Sequence, residues 1–142
     1  MLRAVLDTNV VLAAKWTAHP RSPNTEIITR WMAGEFVWLV SGDMVTEYAE
    51  KLLEKGIDSV KVEIFVADLL EYGEEVPIRF FHFRHYPVDA DDLVFLLVAL
   101  NGDATHIVTY DGHLQDVGLF YPEVITCEPL AFLSDLRASL LP

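Results

Sequence analysis

Acidic side chains follow two apolar, strand-like segments of this sequence, at the point where each segment ends. Asp7 comes directly after the first segment of the chain, and Asp111 ends the later segment VTYD. In parallel α/β sheets, functional sites gather at the carboxyl ends of the strands. The sequence therefore predicts that Asp7 and Asp111 share one pocket.

Three more carboxylates occupy positions from which they can join that pocket. Glu47 lies in a predicted helix and borders its apolar stripe instead of facing away from it. Asp91 and Asp92 begin the most apolar helix of the chain. Taken one by one, these acids have ordinary uses, because helix glutamates are often solvated and first-turn aspartates favour the helix dipole. As a set with Asp7 and Asp111, they need a different explanation.

A pocket that holds four carboxylates must neutralise their charge. Two like charges about 5 Å apart repel by about 3 kcal/mol at an effective dielectric constant of about 20, so a fold keeps such a cluster only with protons or cations. Oxygen ligands favour the hard ions Mg²⁺ and Mn²⁺, and the sequence has no Cys/His spacing suited to zinc. The chemistry that uses such a pocket is phosphodiester hydrolysis, in which metal activates a water and stabilises the leaving oxygen.

Strands alternating with helices position these acids. Short apolar segments predict strands at residues 3–6, 36–40, 106–109 and 124–127, and residues 76–86 are predicted to be extended. Predicted helices occupy residues 9–15, 25–33, 41–55, 58–72, 89–100 and 129–140. This alternation predicts an α/β fold with a mainly parallel sheet. Since no linker interrupts the pattern, residues 1–142 are predicted to form a single domain.

The composition and net charge of the chain limit the ligands that it can bind and the compartment in which it is expected. The chain has 22 Asp and Glu against 10 Lys and Arg, a formal net charge of −12. This balance argues against broad nucleic-acid binding through a basic face, so a phosphate substrate would need metal ions, a local basic patch or a partner chain. The single cysteine, Cys127, cannot form an internal disulfide, and the N-terminus predicts neither a signal peptide nor a membrane span. We therefore expect a cytoplasmic protein.

The motifs and their order resemble those of the PIN domain family. The matching elements are LDTN at residues 6–9, Glu47, DADD at residues 89–92 and VTYD at residues 108–111. The resemblance extends from Leu2 to about Leu136 and is strongest to the VapC-like ribonucleases, the toxins of type II toxin–antitoxin pairs. It implies a three-layer α/β/α fold with a central, mainly parallel sheet. It also implies a Mg²⁺- or Mn²⁺-dependent endoribonuclease that cleaves single-stranded RNA.

The resemblance assigns roles to individual residues. The implied catalytic and metal-binding carboxylates are Asp7, Glu47, Asp92 and Asp111. Asn9 and Thr109 match neighbours that orient these carboxylates, and Thr8 matches a common family position.

The chain departs from the family in its third motif. Ala90 replaces a proline that is frequent in the branch, and a one-residue shift would make Asp91 the ligand instead of Asp92. We prefer Asp92, because it has the general family spacing to Asp111. The family further implies two protein partners, a cognate antitoxin whose tail blocks the pocket and a second copy of the chain in a homodimer.

Two basic segments are candidates for RNA binding. Arg79 and Arg84 stand among aromatic residues in the segment 79–86, and arginine with aromatic rings can stack on and clamp single-stranded RNA. A half-buried strand with alternating faces is the other interpretation of this segment. Lys15 and Arg21, after the first predicted helix, form the second candidate.

Two other functions remain open from the sequence. One is a non-catalytic PIN-fold module that binds RNA or protein. The other is a metal-dependent phosphatase with an acidic α/β pocket. Against the phosphatase, Asp7 is followed by Thr8 and Asn9, whereas an aspartyl-phosphate phosphatase needs a second aspartate two positions on. A ribonuclease is therefore the function that we expect.

Overall fold

The computed structural model describes residues 1–17, 19–79 and 90–142. These residues form strands and helices that we number in chain order. The strands are β1 (Arg3–Leu6), β2 (Val37–Val40), β3 (Glu74–Glu75), β4 (His106–Val108) and β5 (Ile125–Cys127). The helices are α1 (Thr8–Thr17), α2 (Pro23–Met32), α3 (Gly42–Glu54), α4 (Ser59–Tyr72), α5 (Ala90–Asn101), α6 (Gly112–Gly118) and α7 (Pro129–Ser139).

The five strands form one sheet in the order β3-β2-β1-β4-β5, and every pair of neighbours is parallel. β1 lies at the centre, where Ala4, Val5 and Leu6 are fully buried. Burial of this kind is typical of parallel sheets, because the helices that connect the strands cover both faces. The predicted α/β/α fold with a central parallel sheet is therefore confirmed.

Pairing between β1 and β4 brings distant parts of the sequence to one end of the sheet. Leu6 pairs with Val108, so the residues that follow them leave the two strands at the same level. The Asp7 amide donates a hydrogen bond of 2.9 Å to the Val108 carbonyl, which extends the ladder one residue beyond β1. The carboxyl ends of these neighbouring strands thus meet, as the sequence predicts.

Local capping sets the limits of the helices. The Ser41 hydroxyl accepts a hydrogen bond of 3.2 Å from the Met44 amide, which satisfies one of the unpaired N–H groups at the start of α3. Gly34 and Gly56 follow α2 and α3 with φ angles of 77° and 83°, the left-handed conformation that commonly ends a helix. The helix predicted at residues 41–55 is confirmed to within one residue at each end, as is the end of the helix predicted at residues 25–33.

Aromatic rings connect the sheet to the helices that carry two of the predicted acids. Trp38 of β2 lies 5.8 Å from Tyr48 of α3 and 5.9 Å from Phe65 of α4, measured between ring centres. Tyr48 in turn lies 6.5 Å from Phe95 of α5. All four rings are buried, and large buried rings dominate core energetics. This cluster fixes α3 and α5 relative to the central strands.

Tyr48→Phe tests how this aromatic cluster supports β1. The buried Tyr48 hydroxyl donates a hydrogen bond to the carbonyl of Leu6, the residue before Asp7. Phenylalanine keeps the ring packing and removes that bond, so we expect the free energy of unfolding to fall by about 1–2 kcal/mol in urea denaturation. Tyr72→Phe, at an exposed position, is the control. Equal stability of the two variants would contradict the supporting role.

The most apolar helix, α5, is part of the core. Phe95, Leu96, Val98 and Ala99 are buried, and the helix packs against β1, β2 and β4. The helix predicted at residues 89–100 is confirmed to within one residue at each end. Across the described ranges, no helix, α5 included, has the length and apolarity that a membrane span requires.

Two short elements are absent from the sequence predictions. β3 has two residues and forms where Glu74 pairs with Leu39 of β2. α6 has seven residues and begins where the Asp111 carboxylate accepts a hydrogen bond of 2.8 Å from the His113 amide. Elements this short carry too few residues for a periodic apolar pattern, so pairing and capping decide them.

Candidate active site

Four acidic side chains line one pocket at the carboxyl ends of β1 and β4. Asp7 and Asp111 enter the pocket from the segments that follow these strands, whereas Glu47 comes from α3 and Asp92 from α5. The pocket has a volume of about 170 Å³. Within the described ranges, its other lining residues are Thr8, Asn9, Leu12, Lys51 and Phe95. The structure thus brings together the four carboxylates that the sequence predicts as neighbours.

Asp7 is held through both of its carboxylate oxygens. The Thr109 hydroxyl donates a hydrogen bond of 2.7 Å to Oδ2, and the Thr8 amide donates one of 2.7 Å to Oδ1. Asp7 is only 6 % exposed, and a carboxylate at such depth needs donors of this kind. Because each carboxylate oxygen can accept more than one bond, these contacts fix Asp7 without excluding a metal ligand role.

Thr109 joins two of the acids. Its hydroxyl donates to Asp7 and at the same time accepts a hydrogen bond of 2.9 Å from the Asp111 amide. The residue is fully buried, and the Gln115 side-chain amide donates to its carbonyl at 3.1 Å. Thr109 therefore contacts the carboxylate of Asp7 and the backbone of Asp111.

Asp111 combines a structural contact with its place in the pocket. Its Oδ1 accepts from the His113 amide and caps α6, while the residue lines the pocket. The side chain is 28 % exposed, in contrast to the buried Asp7 and Asp92. The cap therefore restricts the rotation of a carboxylate that solvent or substrate can reach.

Thr8 and Asn9 add uncharged polar groups to the pocket. Thr8 is buried, and its hydroxyl has no hydrogen-bond partner among the residues that the structure describes. Asn9 is exposed and also lines the pocket. Both residues start α1 directly after Asp7, and Asn9 offers a neutral polar contact to a ligand beside the carboxylates.

The four acids offer oxygen atoms, the type of ligand that a hard divalent ion prefers. In residues 1–17, 19–79 and 90–142, no three His, Cys, Asp or Glu side chains stand close enough together to hold a metal ion. Mg²⁺ usually keeps several waters and uses only one or two protein carboxylates. Asp7, held through both carboxylate oxygens, would supply one such carboxylate to a bound ion.

The acids of the pocket affect the pKa of Tyr48 in the adjacent core. Burial raises the pKa of the Tyr48 phenol well above its usual range, and the nearby charges of Asp7 and Glu47 raise it as well. Tyr48 consequently stays neutral over the ordinary pH range and keeps its hydrogen bond to Leu6. The neutral Tyr48 hydroxyl thus stabilises the end of β1, from which Asp7 enters the pocket.

Comparison with known proteins decides the family. The sequence profile described as the PIN domain matches residues 3–113, a range that contains all four acids of the pocket. The chain belongs to the PIN domain family. The family resemblance that the sequence motifs show is confirmed. No curated protein sequence matches the chain.

A solved structure has the same fold as this PIN domain. It is a chain in the crystal structure of VapBC2 from Rickettsia felis bound to a DNA fragment from its promoter. The TM-score is 0.58 at 14 % sequence identity, and the match covers 88 % of this chain and 97 % of that chain. At this identity the similarity shows the shared fold alone.

Lys15, one of the residues predicted to bind RNA, lies in a different cavity of this PIN domain. That cavity has a volume of about 450 Å³ and mostly apolar walls from α1 to α4. The Lys15 ammonium lies 4.6 Å from the centre of the Phe65 ring. Burial lowers the pKa of Lys15, although the charge of Asp68 opposes the shift. The larger cavity thus lacks the clustered acids, and the smaller, acidic pocket is the candidate active site.

The other residues predicted to bind RNA do not line the acidic pocket where the structure describes them. Arg21 is exposed before α2, and its amide bonds to His19. Arg79 is exposed, and its amide donates to the Asn101 side chain at 2.8 Å. Arg84 and most of the segment 79–86 lie outside the described residues, as does the side chain of Asp91. RNA binding by these arginines stays a prediction.

Lys51 is a pocket residue that the sequence analysis does not predict. It follows Glu47 by four positions on α3, and residues four apart lie on the same face of a helix. The four-residue spacing from Glu47 is the sequence feature from which Lys51 could have been predicted to line the pocket. Of the lining residues that the structure describes, Lys51 alone carries a positive charge.

Proposed function

We propose that this PIN domain is an endoribonuclease that hydrolyses phosphodiester bonds of single-stranded RNA with Mg²⁺ or Mn²⁺. The observation that supports this function most strongly is the convergence of Asp7, Glu47, Asp92 and Asp111 on one pocket. Acids that line one pocket make its electrostatic potential negative, and a bound divalent cation would relieve that potential. Membership of the PIN domain family supports the same conclusion.

Each residue of the pocket has a role in this proposal. Asp7, Glu47, Asp92 and Asp111 would hold the divalent ion, with Asp91 as the alternative to Asp92. When bound, such an ion lowers the pKa of a water and stabilises negative charge on phosphate oxygens.

The neutral residues position the acids and the substrate. Thr109 keeps Asp7 and Asp111 in register through its hydroxyl. The exposed Asn9 side chain is available to contact the RNA backbone, whereas the buried Thr8 hydroxyl is covered by protein.

We further propose that the protein is the toxin of a type II toxin–antitoxin pair and acts in the cytoplasm. The shared fold with a chain of the VapBC2 structure supports a cognate antitoxin as partner. α4 exposes the apolar side chains of Val60, Ile64 and Leu70, each more than half accessible. Exposed apolar side chains of this size favour protein contacts, which supports an antitoxin or homodimer interface on α4.

A non-catalytic PIN-fold module that binds RNA or protein is the second candidate. One observation favours it: among the described residues, no three acids are spaced to hold a metal ion together. A module of this kind would bind RNA without cleaving it. Cleavage of single-stranded RNA therefore separates the two candidate functions.

The test is a cleavage assay of the purified protein on a single-stranded RNA with a fluorophore and a quencher at its ends. We expect cleavage with Mg²⁺ or Mn²⁺, no cleavage in EDTA, and full recovery when excess metal is restored. A duplex of the same RNA and a phosphomonoester such as p-nitrophenyl phosphate serve as control substrates.

Each outcome of this assay has a definite meaning. Cleavage that persists in EDTA would contradict the metal-dependent site. No cleavage in any metal, together with a shift of the intact RNA on a native gel, would favour the non-catalytic module. Release of p-nitrophenol at a rate exceeding RNA cleavage would favour the phosphatase.

A further inference from the structure

Lys51 places a positive charge in a pocket whose other charged groups, among the described residues, are the four carboxylates. It lies on α3 one helical turn after Glu47. The side chain lines the pocket and is 45 % exposed, so it lies where solvent and the pocket meet. Lysine commonly lays its apolar stem along a protein surface and keeps its charged head in water.

The negative charge of the pocket repels a phosphate group electrostatically. One divalent ion neutralises only half of the charge of four carboxylates, and the chain as a whole carries −12. A phosphodiester adds one further negative charge. A cation of the protein at the pocket would therefore favour binding of the substrate, beside any cation that the carboxylates hold.

The Lys51 ammonium can serve this purpose because its partner holds it weakly. Nζ lies 3.4 Å from Oε2 of Glu54, and the Glu54 side chain is 63 % exposed. Ion pairs between exposed side chains contribute little to stability. The ammonium can exchange Glu54 for a phosphate at low cost, and lysine binds phosphate as a compact point charge on a flexible stem.

We propose that Lys51 binds a backbone phosphate of the single-stranded RNA substrate at the acidic pocket. This inference rests on the proposed function for the identity of the ligand. Lys51 acts as a substrate-binding residue in it and takes no part in the transfer of protons. It replaces, at the pocket itself, the basic patch that the composition of the chain does not supply.

The test measures RNA binding as a function of salt. Fluorescence anisotropy with Mg²⁺ is recorded for a short single-stranded RNA in an Asp7→Asn background, which is designed to keep the RNA intact. Lys51→Gln and Lys51→Arg are compared with Lys55→Gln, which removes the same charge from an exposed position at the end of α3. Thermal melting of each variant checks that the fold is retained.

We expect Lys51→Gln to bind RNA roughly five-fold more weakly at about 0.1 M salt and to lower the slope of log K against log salt by about 0.7, the value for one phosphate contact on a single strand. Lys51→Arg should retain both quantities, as should Lys55→Gln. Equal affinity and slope for Lys51→Gln and Lys55→Gln would overturn the proposal.

Two outcomes separate this inference from the proposed function. If RNA binds in a Lys51-dependent manner but the parent protein does not cleave it, catalysis is overturned and the binding role of Lys51 is supported. If no single-stranded RNA binds at any salt concentration, both the substrate and the role of Lys51 are overturned.

Discussion

Asp7→Asn should lower the rate of RNA cleavage by at least about 100-fold. Loss of residues that merely support metal ligands costs about 10–100-fold in activity or metal affinity, and Asp7 is a buried pocket acid held through both carboxylate oxygens. Asparagine has the same shape and its carbonyl can accept the bond from the Thr8 amide, so the fold should persist. The measurement is the initial rate with saturating Mg²⁺, together with the circular dichroism spectrum.

Asp43→Asn is the matched control for this prediction. Asp43 lies in the first turn of α3, the same helix that carries Glu47, and is exposed outside the pocket. The substitution removes the same charge and should leave the rate within about two-fold of the parent, since surface changes of this kind are nearly neutral. Equal rates for Asp7→Asn and Asp43→Asn would rule out the acidic pocket as the catalytic site.

Thr109→Val should reduce both stability and activity. Valine keeps the shape of the side chain but removes the hydroxyl that donates to Asp7 and accepts from the Asp111 amide. Because buried polar groups that lose a partner cost about 1–3 kcal/mol each, we expect a loss of about 2–4 kcal/mol. For a chain of this size the melting temperature should fall by roughly 5–15 °C.

The expected loss of activity for Thr109→Val is about 10–100-fold, the range for residues that orient metal ligands. It should be measured well below the melting temperature of the variant, so that unfolding does not contribute. Thr109→Ser keeps the hydroxyl and should retain most of the activity, with about 1 kcal/mol lost for the missing methyl group. A valine variant as active as the serine variant would show that the hydroxyl does not position the acids.

The sheet and the two strand-end acids are predictable from the sequence because both depend on local patterns. Short apolar segments mark the strands, and an acid directly after such a segment must lie at a strand end. The buried helix α5 is equally visible, since it is apolar on all sides. Ser41 and the glycines that end α2 and α3 mark helix limits through conformational preferences that act over a few residues.

Features that depend on contacts between distant residues are not predictable in this way. Lys15 looks like a surface cation, but its ammonium lies over Phe65, fifty positions away in the sequence on α4. Glu47 and Lys51 share a face of α3, yet only the tertiary fold shows that this face lines the acidic pocket. Thr109 is identified by family resemblance, whereas its double contact to Asp7 and Asp111 requires coordinates.

The hydrogen bond between Thr109 and Asp7 joins residues 102 positions apart, and this separation has a consequence for synthesis. Ribosomes add about 5–20 residues per second, so Asp7 emerges roughly 5–20 s before its partner has been made. During that interval the nascent chain lacks β4 and Asp111, and the acidic pocket does not exist. A protein that cuts RNA would in this way remain harmless to the messenger and ribosome producing it until its translation is nearly complete.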